Sequence, residues 1–164
     1  WHVRSGCESF SLAEDRISFR WSPMEGVMID TVIAPVGMWH VRKHVIHAEC
    51  AAELAEGAFS VRKDWAGERP CDRIASGTEE GERMAAAHGE YGTSAIFALR
   101  GYSKGEVIST EPNTNLIWPR CVLPTLRAEM EPGEMTLVCA VFAGAGDELP
   151  EEVPEEVIRL AEEL

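Results

Sequence analysis

Basic residues are scarce in this chain: 15 Lys plus Arg stand against 28 Asp plus Glu, a formal charge of −13. A surface of that sign repels phosphate backbones, and no basic stripe or lysine-rich arm opposes it, so nucleic acid is not expected as a partner. Long apolar runs are also missing. The longest fall well short of the roughly 20 residues that span a bilayer, and no charged-then-apolar segment opens the chain as a secretory signal would. A membrane is therefore not expected as a partner either. Cysteine is sparse, odd in number and widely spaced (Cys7, Cys50, Cys71, Cys121, Cys139). That pattern fits neither a disulfide framework nor the paired spacing of a zinc site, and it predicts a reducing, cytoplasmic setting.

Several signatures of chemistry are absent too. There is no Gly-x-Ser-x-Gly elbow, no phosphate loop and no His-Glu-x-x-His pair, so no catalytic residues are assigned and neither cofactor nor metal is expected. The chain opens Trp1-His2-Val3-Arg4 and runs at once into a strand-like pattern, which reads as a domain cut from a longer protein.

Helical periodicity is hard to find before residue 147, whereas period-two alternation and turn signals recur every ten residues or so. The expectation is an all-β fold, a two-layer antiparallel β-sandwich of Greek-key type over residues 1–146. An acidic tail with a short amphipathic helix follows over 147–164. Glu8 to Leu12 alternates, and Ile17, Phe19 and Trp21 then share one face while Arg16, Ser18 and Arg20 share the other. Ser22-Pro23-Met24-Glu25-Gly26 supplies a turn, after which Val27, Ile29, Thr31 and Ile33 alternate until Pro35 and Gly37 stop the ladder.

Met38 to Ala48 predicts a long strand with Trp39, Val41 and Val45 on one face and His40, Arg42, His44 and Ile46 on an exposed, nitrogen-rich face. Cys50 to Glu56 is open between a helical turn and an edge strand, and alternation resumes from Gly57. The polar stretch from Lys63 to Gly81 reads as a long crossover. Strands are expected at Arg83 to His88, Thr93 to Arg100, Glu106 to Thr110 and Met135 to Ala143, the last a near-continuous apolar run suited to a central position. Eight carboxylates and one Arg crowd the segment from Asp147 onward. There Pro154 at a first helical position, with Glu155 and Glu156 behind it, predicts a helix whose Val153, Val157, Leu160 and Leu164 form one stripe.

Two clusters are candidates for binding or for a domain interface. The first is the loop Glu111 to Arg120. Asn113, Asn115 and Arg120 supply directional donors and Trp118 an apolar plate on which a sugar can stack, while the plainer alternative has the amides serving their own loop and Trp118 plugging the sandwich. The second is the face of His40, Arg42 and His44, whose neighbours two apart lie about 6 to 7 Å from each other. His40 and His44 are roughly 13 Å apart on a strand, too far to share a metal ion, and a solvated face or a docking surface is the plainer reading. Ser60, Arg62 and Asp64 form a third, weaker row.

At Trp39-His40-Val41-Arg42-Lys43-His44, Gly57-Ala58-Phe59, Gly92-Thr93-Ser94-Ala95-Ile96 and Pro112-Asn113-Thr114-Asn115-Leu116-Ile117-Trp118-Pro119-Arg120, the chain resembles the carboxy-terminal region of a bacterial family, domain of unknown function 2264. The resemblance implies a β-sandwich that follows an amino-terminal (α/α) toroid, an architecture similar to heparinase and chondroitin lyases. It supplies no catalytic residues. The function it implies is an accessory domain that packs on the missing helical toroid of its parent and helps to form a carbohydrate-related cleft. Two other readings stay open. One is a free-standing carbohydrate-binding module using Trp118 and Trp65, and the other is part of a lyase-like site in which a strand His acts with an Asn or Arg.

Overall fold

The alternation read from the sequence folds into hairpins stacked in two layers. The computed structural model describes residues 6–64, 77–89, 92–109, 120–145 and 148–164. In chain order these form β1 (Gly6–Leu12), β2 (Ile17–Met24), β3 (Val27–Val36), β4 (Trp39–Ala48), β5 (Ala52–Gly57), β6 (Val61–Asp64), β7 (Gly77–Glu80), β8 (Met84–Gly89), β9 (Gly92–Arg100), β10 (Lys104–Ser109), β11 (Arg120–Met130), β12 (Gly133–Gly144) and the helix α1 (Glu155–Glu163).

The large sheet has the order β1-β2-β3-β4-β12-β9-β8-β7. The small one runs β10-β11-β5, with β6 also on β11. The pairings between strands are antiparallel. The expected two-layer, all-β antiparallel fold with a short C-terminal helix is thus the one found. β12 returns after the small sheet to lie between β4 and β9, the central place its apolar run predicts.

Tight turns set the register of the long hairpins. Glu25-Gly26 joins β2 to β3 and Gly37-Met38 joins β3 to β4, with Gly26 and Gly37 at φ +77° and +59°, where a side chain would be strained. Pro35 does not end β3 as expected. The two-residue turn makes Val36 and Trp39 a hydrogen-bonded pair, so Pro35 points its missing donor the other way, where β2 has already ended at Ile17 opposite Ile33.

β11 was not anticipated, and Pro124 at its centre is the reason. A residue's N–H and C=O face the same neighbour, and the Pro124 carbonyl accepts from Ala58 N at 2.8 Å. The absent N–H therefore faces the gap between β5, which ends opposite Thr125, and β6, which starts opposite Val122, so no ladder bond is lost. β7 was likewise read as part of the crossover.

Both faces of the large sheet are covered at its centre. Between the layers, Val27, Ile29, Ile46 and Leu137 meet Ala128 and Met130 of β11, and Ile96, Cys139 and Val141 meet Leu126. On the other side, Trp39, Val41, Phe97, Val138 and Ala140 pack around Val157 of α1, with Val153, Leu160 and Leu164 of the predicted stripe against them. Trp39 also lies 5.6 Å from the Phe97 ring and 5.1 Å from Phe142. Pro154 is the N-cap of α1 rather than its first helical residue, and its carbonyl accepts from Val157 N and Ile158 N. The described helix is too short and too polar to cross a membrane.

Candidate functional site

Strand geometry decides what His40, Arg42 and His44 do. They share the face of β4 that carries Ile46, and across the ladder His40 lies beside Val141, Arg42 between Ile33 and Cys139, and His44 between Thr31 and Leu137. That face was expected to be solvated. It instead looks into the space between the layers, where His44 keeps only 8% of its surface. The cause is β5, which is the edge strand of the two alternatives and lies over β4. Its alternation turns Glu53 and Ala55 out and Ala52, Leu54 and Glu56 in, so a carboxylate arrives opposite the basic row.

The result is a closed ionic network. Arg42 Nη1 donates to Glu56 Oε1 and, at 2.8 Å, to the Gly57 carbonyl. Arg42 Nε donates to His40 Nε2 at 2.8 Å, which requires that nitrogen to be a lone-pair acceptor and His40 to be neutral. Burial pushes His40 down to about 4, and the Arg42 cation adds to the effect. The Phe59 ring stands edge-on to His40 at 5.6 Å.

His44 is held from the other side. Trp21 Nε1 donates to Thr31 Oγ1 at 3.3 Å, and Thr31 Oγ1 lies 2.9 Å from His44 Nδ1. Thr31 has one lone pair taken by Trp21 and keeps a second lone pair and its proton, so it serves either tautomer of His44, as donor to a bare Nδ1 or as acceptor from Nδ1–H. Burial lowers the His44 pKa, with Glu56 opposing the shift and Arg42 adding to it. Glu56 Oε2 is 3.5 Å from Nε2, yet Nε2 makes no hydrogen bond and is sealed from solvent.

Tyr102, on the turn from β9 to β10, has the same defect. Its Oη is buried with no nitrogen or oxygen partner and faces the weakly accepting Cys139 thiol, and burial raises the phenol well above its usual range. Burial also pushes the Cys139 thiol up to about 12, so this cysteine is the inert core residue expected of it. A cavity of about 250 Å³ opens beside these groups between β2–β4 and β5. Trp21, Met24, Ile29, Leu54 and Leu137 are among its apolar walls, and Glu53, His44, Glu56 and Tyr102 are its polar residues.

The other sequence candidates do not join this cluster. Asn113, Asn115 and Trp118 lie outside the described residues, as do Trp65 and the side chains of Arg62, Asp64 and Arg120. The Arg120 backbone opens β11 opposite Asp64. Glu56, Thr31 and Tyr102 were missed. Only Glu56 left a signal, as the one acid sharing a strand face with Ala52 and Leu54.

Fold and site together define a two-layer antiparallel β domain with an ion pair clamped between its layers. Residues 1–156 match the DUF2264 C-terminal domain, and the chain belongs to that family. Among solved structures it is similar to the heparan sulfate lyase HepC of Pedobacter heparinus. The identity is 9% and the TM-score 0.58, over 90% of this chain and 23% of that one. A mutant of the same lyase gives 9% and 0.55 over the same shares. A putative aldose 1-epimerase of Escherichia coli K12 gives 8% and 0.49, over 86% of this chain and 68% of that one. No curated protein sequence matches. The chain spans about a quarter of the lyase, and at these identities the likeness is one of fold.

Proposed function

We propose that this domain is a non-catalytic, accessory β-sandwich of a larger protein, where it packs on a helical (α/α) toroid and forms one wall of a carbohydrate-related cleft. The observation that carries the reading is the unequal coverage of the lyase match: nearly all of this chain corresponds to under a quarter of a polysaccharide-degrading chain. The uncovered end of the large sheet supports it. Phe10 and Leu12, 65% and 70% exposed, pair across to Phe19 and Ile17 and continue the inner apolar face past β5, as a sheet does where a neighbour should sit.

The imidazoles support a non-catalytic role. His40 spends its lone pair on Arg42, and His44 is held by Thr31 with its Nε2 sealed from solvent, so neither offers an accessible base. The free thiols Cys7, Cys50 and Cys139 agree with the reducing cytoplasm as its compartment.

The test is a glycan panel with uronate-containing polymers, applied to this domain and to the longer parent in parallel. Binding by the parent alone is expected. Binding or cleavage by the isolated domain overturns the accessory role, and silence from both overturns the carbohydrate assignment.

A further inference from the structure

We propose that the cavity between β2–β4 and β5 is a binding site for a small uncharged amphipathic molecule, an apolar ring or short chain carrying one hydroxyl. The inference goes beyond the accessory role and does not depend on it.

Three observations carry it. First, the walls come from both layers and are apolar, Trp21, Met24, Ile29 and Leu54 among them, so a sugar with several hydroxyls would leave most of them unpaired. Second, among the described residues two buried side-chain atoms lack a nitrogen or oxygen hydrogen-bond partner, His44 Nε2 and Tyr102 Oη, the latter beside the Cys139 thiol, and both belong to residues of this one cavity. Buried polar atoms are nearly always paired, and two exceptions at one pocket call for a common partner. A phenol is a donor and His44 Nε2 donates or accepts according to its tautomer, and a hydroxyl answers both, so the complement is a hydroxyl oxygen.

Third, the charges beside the cavity cancel. Glu56 is neutralised by Arg42, Glu53 is paired with Arg127 and His44 is neutral, so an anion would meet carboxylates with no cation to spare and a cation would find both carboxylates already engaged. Size narrows the class further. An apolar cavity of about 150 Å³ holds benzene, so about 250 Å³ suits a bicyclic ring or a chain of about eight carbons. Both orphan atoms are sealed in the empty pocket, so binding includes a small shift of β5, the edge strand that closes it.

The probes are 1-naphthol, naphthalene and 1-naphthoate, titrated into the full 164-residue chain by calorimetry, with two-dimensional NMR locating the perturbed residues. The expected order is naphthol tightest, naphthalene about tenfold weaker and naphthoate weakest, with shifts centred on Trp21, Leu54 and Tyr102. His44→Leu keeps the volume and removes the polar partner, so it should erase the advantage of naphthol while leaving naphthalene unchanged. Leu54→Trp, which fills the cavity, should abolish all binding.

Three results overturn the proposal. They are no saturable binding of any probe, binding that survives Leu54→Trp, and equal affinity of naphthol and naphthalene for the natural chain. If His44→Leu fails to fold, Tyr102→Phe tests the same pairing logic. A crystal structure grown with saturating naphthol that shows only ordered water on His44 and Tyr102 overturns it as well.

Discussion

Truncating Glu56 to Ala should destabilise the domain far more than a surface substitution would. Arg42 and Glu56 retain only 15% and 23% of their side-chain surface, and Arg42 would keep its bonds to His40 and the Gly57 carbonyl but lose its counter-charge. Breaking a fully buried pair from one side costs about 3–5 kcal/mol. Partial access to water brings the expectation here to about 2–3 kcal/mol. For a chain of this size that is a fall in Tm of roughly 5–10 °C. Arg42→Ala should cost a similar amount. The double variant Arg42→Met/Glu56→Leu removes both charges and refills the space, and it should return to within about 1 kcal/mol of the natural chain. Urea unfolding at pH 7, followed by circular dichroism, measures all of these. Single variants that cost under about 0.5 kcal/mol, or a double variant that costs the sum of the two singles, would refute the claim that the pair works as a unit between the layers.

Acid should weaken the fold before the carboxylates titrate. His40 takes up its proton near 6.5 when unfolded but only near 4 when folded, so between those values the unfolded state binds more protons. Its contribution is complete above about 6.5 and is lost as pH falls towards 4, by about 1–2 kcal/mol after allowance for solvent access. His44 acts in the same direction, whereas Asp30 and Glu106, held down by Arg20 and Arg127, lose their contributions only below roughly pH 4.5. Urea midpoints from pH 7 to 5 should fall for the natural chain and fall less for His40→Gln, and identical slopes would refute the assignment. Gly105→Ala should cost about 3 kcal/mol, since a Cβ there would stand 2.0 Å from the Met84 carbonyl oxygen, where β10 crosses β8. Gly81→Ala, with open space around it, is the control and should change stability by under about 0.5 kcal/mol.

Much of the large sheet was legible because each of its strands declares one apolar face. Trp39, Val41 and Val157 were placed correctly because strand period and helix period each yield a single stripe, and the stripes meet. What escaped was whatever depends on a partner distant in sequence. His40, Arg42 and His44 read as wet because three polar side chains in a row normally are, and nothing local says that Glu56 will be folded over them. Pro124 hid β11 for a similar reason. A proline breaks a central strand unless its neighbours leave a gap at that point, and that gap exists only because β5 ends and β6 begins there.

The buried pair makes most sense as a register device. β5 has six residues and only Ala52 and Leu54 as inward apolar contacts, so apolar burial alone holds it weakly against sliding along β4. A slip of one residue along β11 would turn Glu56 outward and bring Ala55 in, leaving Arg42 buried without a counter-charge. A slip of two would set Leu54 against the guanidinium. Either error leaves the Arg42 charge buried and uncompensated, so the pair penalises misplacement of β5 whatever its net contribution to stability. The pin sits at one end of β5. Leu54 and Ala52 run on from it over Ile29 and Ile46 without filling the space beneath them, and that unfilled space is the cavity of about 250 Å³. Glu56 therefore serves in both places, as the partner of Arg42 between the layers and as part of the pocket wall beside His44.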